Sequence, residues 1–325
     1  MSDINEMLVE QFTGLVASIS PPSQVRAAES PTTTHPMWQQ IAESGFLDLL
    51  VPEDMGGAGL TLDSLFLLAV VAGEHALPVP FAETAMARGL LAAGGASAPD
   101  DAVIVLAPSS NITPLAAGAT HALIQKEQEL CLVTLSGEGL DPFSAGAEAT
   151  LTPGEAIASI PMGSVDLLAT AAALTAANMA GGMVKLQQMS NTYAGERQQF
   201  GRPLGKFQAI QQQLAVMAEQ VASAYIAARI GLSGDQVVPV RAAMAKCRVS
   251  EAAHQVSAIA HAVHGAIGAT EEYDLQLYSR RLKQGQLAFG SESYWALRLA
   301  DARLGTAEIN SADFVRLNLQ ELAQG

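Results

Sequence analysis

The stretch Arg197-Gln198-Gln199-Phe200-Gly201-Arg202-Pro203-Leu204-Gly205-Lys206-Phe207-Gln208 is the densest cluster of informative residues in a chain that is otherwise mostly Ala, Leu and Gly. Gly201, Pro203 and Gly205 forbid a regular helix, so the run reads as a loop. Helical patterns flank it, over residues 167–194 with a stop at Gly195 and again over residues 208–232. Two Arg, one Lys and two Phe are an unusual set for a connector. Arginine suits phosphate, because its planar fork of donors matches the oxygens bidentately. On spacing alone the run reads equally as a phosphate-binding loop or as a helix-hairpin connector with solvated charges.

The charge balance sharpens the point. With 17 Lys+Arg against 32 Asp+Glu the net charge is −15, so neither nucleic acid nor an anionic membrane is an expected partner. An anionic ligand needs a local basic pocket to offset that field, and the few arginines are the groups that supply one. At 325 residues, 49% hydrophobic and 15% charged, the chain allows two or three domains and excludes intrinsic disorder. Cys131 and Cys247 lie amid apolar residues and read as buried thiols; they build neither a disulfide framework nor a metal site, and no metal is expected. The start, Met1-Ser2-Asp3-Ile4, lacks the basic and apolar regions of a signal peptide. The Ala-rich residues 167–180 run into Gly181-Gly182 and read as too short and too broken to span a bilayer. A soluble, cytoplasmic protein is the expectation.

Outward from the loop, residues 1–100 read as helical. Helices are expected over 7–19, stopped by Ser20-Pro21-Pro22; over 37–44, after a Pro/Thr-rich linker at 30–36; over 62–73, with Thr61 as N-cap; and over 82–93. The glycines of Met55-Gly56-Gly57-Ala58-Gly59 resemble a dinucleotide fingerprint in spacing only, without the strand–turn–helix setting, and that reading is rejected. Residues 101–162 form a small β domain, with β-type runs at 102–107 and 130–135 and a third at 122–124. Residues 163–325 return to long helices, over 165–194, 208–232, 237–264 and 292–304, whose short connections imply antiparallel neighbours in a four-helix bundle. The fold class is therefore mainly α with a small β domain.

The motif Arg197-x-x-Phe200-Gly201-x-Pro203-Leu204-x-x-Phe207-Gln208-x-Ile210 resembles the C-terminal signature of the acyl-CoA dehydrogenases. Three further stretches resemble that family, in its order. Ala42-Glu43-Ser44-Gly45-Phe46 through Leu50-Val51-Pro52-Glu53-Asp54-Met55-Gly56-Gly57-Ala58-Gly59-Leu60 is similar to its N-terminal domain, and Ala245-Lys246-Cys247 to its third bundle helix. His264-Gly265-Ala266-Ile267-Gly268-Ala269-Thr270-Glu271-Glu272-Tyr273 through Tyr278-Ser279-Arg280-Arg281 is similar to its glycine loop and the helix beyond. The resemblance implies helical, β-barrel-like and four-helix-bundle domains, assembled as a dimer of dimers around FAD. In that family both loops reach into the neighbouring subunit, where the Arg meets the pyrophosphate and backbone amides cradle it. Carried over, Arg197, Phe200, Gln208, His264, Gly265 and Gly268 are the expected FAD contacts, made in trans. A plain helix-ending turn is the alternative for the two glycines.

The departures carry as much. The family's chemistry needs a carboxylate base within hydrogen-bond reach of the acyl α-proton while the β-hydride passes to the flavin. One family position for that base falls on Phe289, just before Gly290; the other falls on Ala171, inside the carboxylate-free residues 168–177. Neither takes a proton. Glu292, three residues further on, serves only if the loop is rebuilt, and otherwise is a charge favourable to the start of the next helix. Ala172 stands where an arginine often accompanies the early base, and Ala262 where a Gln contacts the cofactor. The family's Thr-Glu-Pro-x-x-Gly-Ser-Asp run and Trp-containing strand are absent between Asp101 and Met162.

Three functions follow from the resemblance and its gaps. In the first, the chain is the shortened, base-deficient subunit of a heteromeric α2β2 acyl-CoA dehydrogenase. A full-length catalytic partner supplies the Glu and the flavin cradle, a steroid-derived acyl-CoA is the substrate, and an electron-transferring flavoprotein is the acceptor. In the second it is a homomeric dehydrogenase with Glu292 as displaced base. In the third it is an FAD-free scaffold or binding protein of the same fold.

Overall fold

The computed structural model describes residues 2–28, 34–108, 112–113, 115, 118–140, 149–306 and 309–319. Five helices come first: α1 (Ser2–Ile19), α2 (Pro22–Ala27), α3 (Thr34–Ala42), α4 (Leu62–Glu74) and α5 (Phe81–Ala93). Pro21 and Pro22 stop α1, yet Pro22 also opens α2, where a missing N–H is harmless. The sequence pattern misses α2 for that reason, and α3 begins at Thr34, inside the stretch read as linker. Thr61 occupies the N-cap position of α4, but its side chain caps nothing. Phe12 packs against Phe46 and Phe81 at ring separations of 5.1 and 4.5 Å, which ties α1 to α5 and the turn after α3.

The sheet follows, with β1 (Ile104–Ala107), β2 (Ile112–Thr113), β3 (His121–Lys126), β4 (Glu129–Leu140) and β5 (Ala149–Pro161) in the order β1-β3-β4-β5-β2. β1 and β3 are parallel, and the other pairs antiparallel. β5 has no counterpart in the sequence pattern, because Pro153-Gly154 interrupts it. The β4–β5 ladder absorbs the interruption through register shifts between Leu132 and Glu138. Thr84 Oγ1 on α5 accepts from Ile104 N and donates to Ile104 O, each at 2.9 Å, and Arg88 pairs with Asp48 at 2.9 Å while donating to Pro99 O. These contacts fasten the sheet to the first helices.

The remaining helices are α6 (Leu167–Glu196), α7 (Gln208–Gly231), α8 (Pro239–His264), α9 (Leu275–Leu287), α10 (Glu292–Leu304) and α11 (Ser311–Leu319). Asp166 caps α6 by accepting from Ala169 N at 2.9 Å, and Pro239 opens α8. α6 runs through Gly181-Gly182, as the helical pattern over residues 165–194 expects. A Cβ at Gly181 would lie 1.9 Å from Val70 O, and one at Gly73 2.0 Å from Asn178 O, so glycine lets α4 and α6 touch backbone to backbone. The 30-residue α6 is in fact long and apolar enough to cross a membrane, and length does not exclude that role. What does is packing, since 78% of its most apolar window is buried inside the protein. α7, α8 and α9 pack around it, and α11 falls outside every pattern read from the sequence. Cys131 is buried as expected, whereas Cys247 is half-exposed.

Candidate site at the end of the bundle

The Arg197 run is a small hairpin rather than a shapeless loop. β6 (Gln198–Gln199) pairs antiparallel with β7 (Arg202–Pro203), and the two residues between them, Phe200 and Gly201, have φ of 50° and 79°. Positive φ at both central positions is the mark of a type I′ turn, whose twist suits a two-residue hairpin. Gly201 takes that conformation freely; Phe200 does not. Phe200 is also 92% exposed, at the tip. Arg197 begins the hairpin, its carbonyl accepting from Leu204 N at 2.8 Å. Its guanidinium is exposed and makes no ion pair or side-chain hydrogen bond among the described residues. Arg202 behaves differently, its guanidinium lying 4.1 Å over the Phe207 ring. Gln208, exposed, is the first residue of α7.

The glycine loop shares this end of the bundle. Tyr193, one turn before Arg197, stacks on His264 at 4.5 Å, so α6 and α8 finish side by side. Gly265 leaves α8 at φ 63°, and nothing lies within 4 Å of where its Cβ would be. Gly268 is buried instead, with a would-be Cβ 2.9 Å from Leu275 Cδ2. His264 is only 3% exposed; its Nδ1 donates to Ala260 O at 2.8 Å, its Nε2 has no partner among the described residues, and burial pushes its pKa down. An unpaired guanidinium beside glycine backbone open to solvent fits an anionic group such as a pyrophosphate.

The two expected base positions lie far from the hairpin: Ala171 is 25 residues before the end of α6, about 38 Å along the helix, and Phe289 follows the 13 residues of α9. Ala171 is buried in α6, and Phe289 sits half-buried at φ 53° with its carbonyl accepting from Trp295 Nε1 at 2.9 Å. The turn is held from beneath by Lys246, wholly buried, whose Nζ donates to Gly285 O, Gln286 O and Gly290 O at 2.7, 3.3 and 3.0 Å. Burial pushes that ammonium down to about 7. Glu292 is exposed on the first turn of α10, behind the Ser291 cap.

Between α4, α5, α6 and α9 lies a cavity of about 70 Å³, flanked by both base positions: Thr175, which donates to Ala171 O, lines it, and so does Ala288. Among the described residues its one carboxyl is Glu83, 8% exposed, with no partner there for Oε2 and its pKa pushed by burial up to about 7. Sequence reasoning missed Glu83; the available signal was a lone carboxylate in the apolar run Phe81-Ala82-Glu83-Thr84-Ala85-Met86. The volume is far below the ~300 Å³ at which small-molecule pockets begin. Two larger hollows, of about 270 and 360 Å³, are each lined by a single titratable side chain, Asp235 and Asp166.

The chain has three parts: helices, a five-stranded sheet, and a long bundle that carries an exposed arginine and exposed glycine backbone at one end. The acyl-CoA dehydrogenase N-terminal domain family matches residues 2–96, and the acyl-CoA dehydrogenase C-terminal domain family matches residues 165–304. Acyl-CoA dehydrogenase IpdE2 of Mycolicibacterium smegmatis is 30% identical over 302 residues, covering 86% of this chain and 93% of its own. Among solved structures, the Tcur3481–Tcur3483 steroid ACAD superimposes with a TM-score of 0.81 at 24% identity, over 95% of this chain and 99% of that one. The ChsE4–ChsE5 complex of Mycobacterium tuberculosis gives 0.78 at 19%, over 94% and 98%. This chain belongs to the acyl-CoA dehydrogenase family.

Proposed function

We propose that the chain is the base-deficient subunit of a heteromeric, α2β2 acyl-CoA dehydrogenase of the cytoplasm. It completes an FAD site in trans for a full-length catalytic partner, which acts on a steroid-derived acyl-CoA and passes electrons to an electron-transferring flavoprotein. One observation carries this reading: the chain holds a bulky aromatic, Phe200, strained and almost wholly exposed beside an unpaired Arg197. The strained φ of Phe200 costs the isolated chain stability, and the exposed ring and guanidinium are groups that a pocket on another subunit would cover. Bound FAD supplies the hydride acceptor of the family's reaction. In this chain Arg197 neutralises pyrophosphate charge, Phe200 and Gln208 cover the cofactor, and the backbone of Gly265 and Gly268 contributes the anion-facing loop with His264 at its root.

The remaining chemistry is the partner's. Ala171 and Phe289 accept no proton, and the 70 Å³ cavity between them is too small for an acyl chain. Both solved assemblies described above are named for two different chains, one of them as a steroid enzyme, which supports the heteromeric reading and the substrate class. Arg197→Ala in the reconstituted complex is expected to lower FAD retention by about tenfold, the loss of one charge-assisted, bidentate contact. Flavin absorbance after gel filtration reads the result, and unchanged retention would show the phosphate role to be misassigned.

A further inference from the structure

We propose that Tyr193, His264 and Tyr273 form a positioning pin that holds the arginine hairpin and the glycine loop in fixed register. The inference rests on the trans-cofactor reading above and goes beyond it, assigning His264 to alignment rather than contact. Arg197 and Gly265 belong to different helices, and two such groups address one diphosphate only if their spacing is held to a fraction of an ångström. Neither loop holds itself so rigidly. The hairpin has two-residue strands, and residues 265–267 of the glycine loop are exposed.

The stack supplies the missing constraint. Tyr193 and His264 lie face to face at 4.5 Å and 27°, and Tyr273 closes the cluster at 5.0 Å from His264 and 6.1 Å from Tyr193. Each ring sits at the root of one segment. Arg197 N donates to Tyr193 O at 2.9 Å, His264 directly precedes Gly265, and Tyr273 ends the turn that leads into α9. That turn is tied in its own right, because Arg26 of α2 pairs with Asp274 and donates to Glu271 O at 3.4 Å. The first helices of the chain thereby brace the pin from behind. A stack of this geometry resists sliding of α6 against α8, the motion that would part Arg197 from the glycine backbone.

The test uses the reconstituted complex with His264→Ala, His264→Phe and Tyr273→Leu. FAD affinity, the thermal midpoint and amide exchange over residues 198–204 and 265–270 are measured for each. His264→Ala is expected to weaken FAD binding about tenfold, the size of effect that supporting residues have on the groups they hold. It should also raise exchange in both segments together, while His264→Phe, which keeps a ring, restores both readouts. Tyr273→Leu removes only the half-exposed ring and gives the same coupled rise should His264→Ala fail to fold. Exchange that rises over 265–270 alone, or a lowered midpoint with FAD affinity intact, would overturn the pin. If Arg197→Ala also leaves FAD affinity intact, the trans-cofactor reading is what fails, and the coupling of exchange between the two segments still decides the pin.

Discussion

Phe200 has a φ that costs a side-chain-bearing residue on the order of 1–2 kcal/mol and an exposure that buries almost none of its ring. Glu83 is the opposite case, a polar group forced inside. Its carboxyl titrates near 4.5 when unfolded and near 7 in place, because burial disfavours the charge. The associated stability is fully present below about pH 4.5 and is lost as the pH rises through 7. Glu83→Gln is therefore expected to be more stable than the unmodified chain at pH 8, on the order of 2–3 kcal/mol, with the gap closing near pH 4. Denaturant unfolding at the two pH values checks it, and equal stabilities at pH 8 would refute the cost of burying this carboxylate.

Among the elements, α6 decides most. Its adjacent glycines differ in what surrounds them: a Cβ at Gly181 collides with Val70 O at 1.9 Å, whereas one at Gly182 meets Leu282 Cδ2 at an ordinary 3.6 Å. Gly181→Ala is expected to cost about 3 kcal/mol by forcing α4 away, and Gly182→Ala to be neutral or to stabilise by up to about 1 kcal/mol through helix propensity. Thermal unfolding of the two variants separates a crossing point from a helix terminus, and equal effects would contradict the crossing. The α6 pattern was legible throughout, but the role of its glycines was not, since a Gly-Gly pair reads the same at a break in an apolar stretch and at a close helix contact. β5 was hidden for a related reason, because a bulge that tolerates Pro153-Gly154 depends on the strand beside it. Phe200-Gly201 was legible as a break, but Phe at φ 50° is not something composition foretells.

For the whole molecule, a −15 charge with the arginine edge at one end of the bundle favours assembly with a partner that presents a bound anion there. Expressed alone the chain is expected to be colourless; co-expressed with the catalytic partner it should purify as a yellow equimolar complex. A yellow, active isolated chain would instead return the reaction to this polypeptide, with Glu292 or another carboxylate as base. By itself the sequence determined the order of helical, sheet and helical parts, the family, and the lack of a carboxylate at Phe289 and Ala171, because those rest on local periodicity and on residue identity. Only the tertiary structure decided that α6 meets α4 backbone to backbone at Gly181, that Arg197 and Gly265 share an edge through Tyr193 and His264, and that Glu83 lines a small cavity between helices. Each of these depends on residues far apart in the chain arriving at one place, and no window of sequence records that distance.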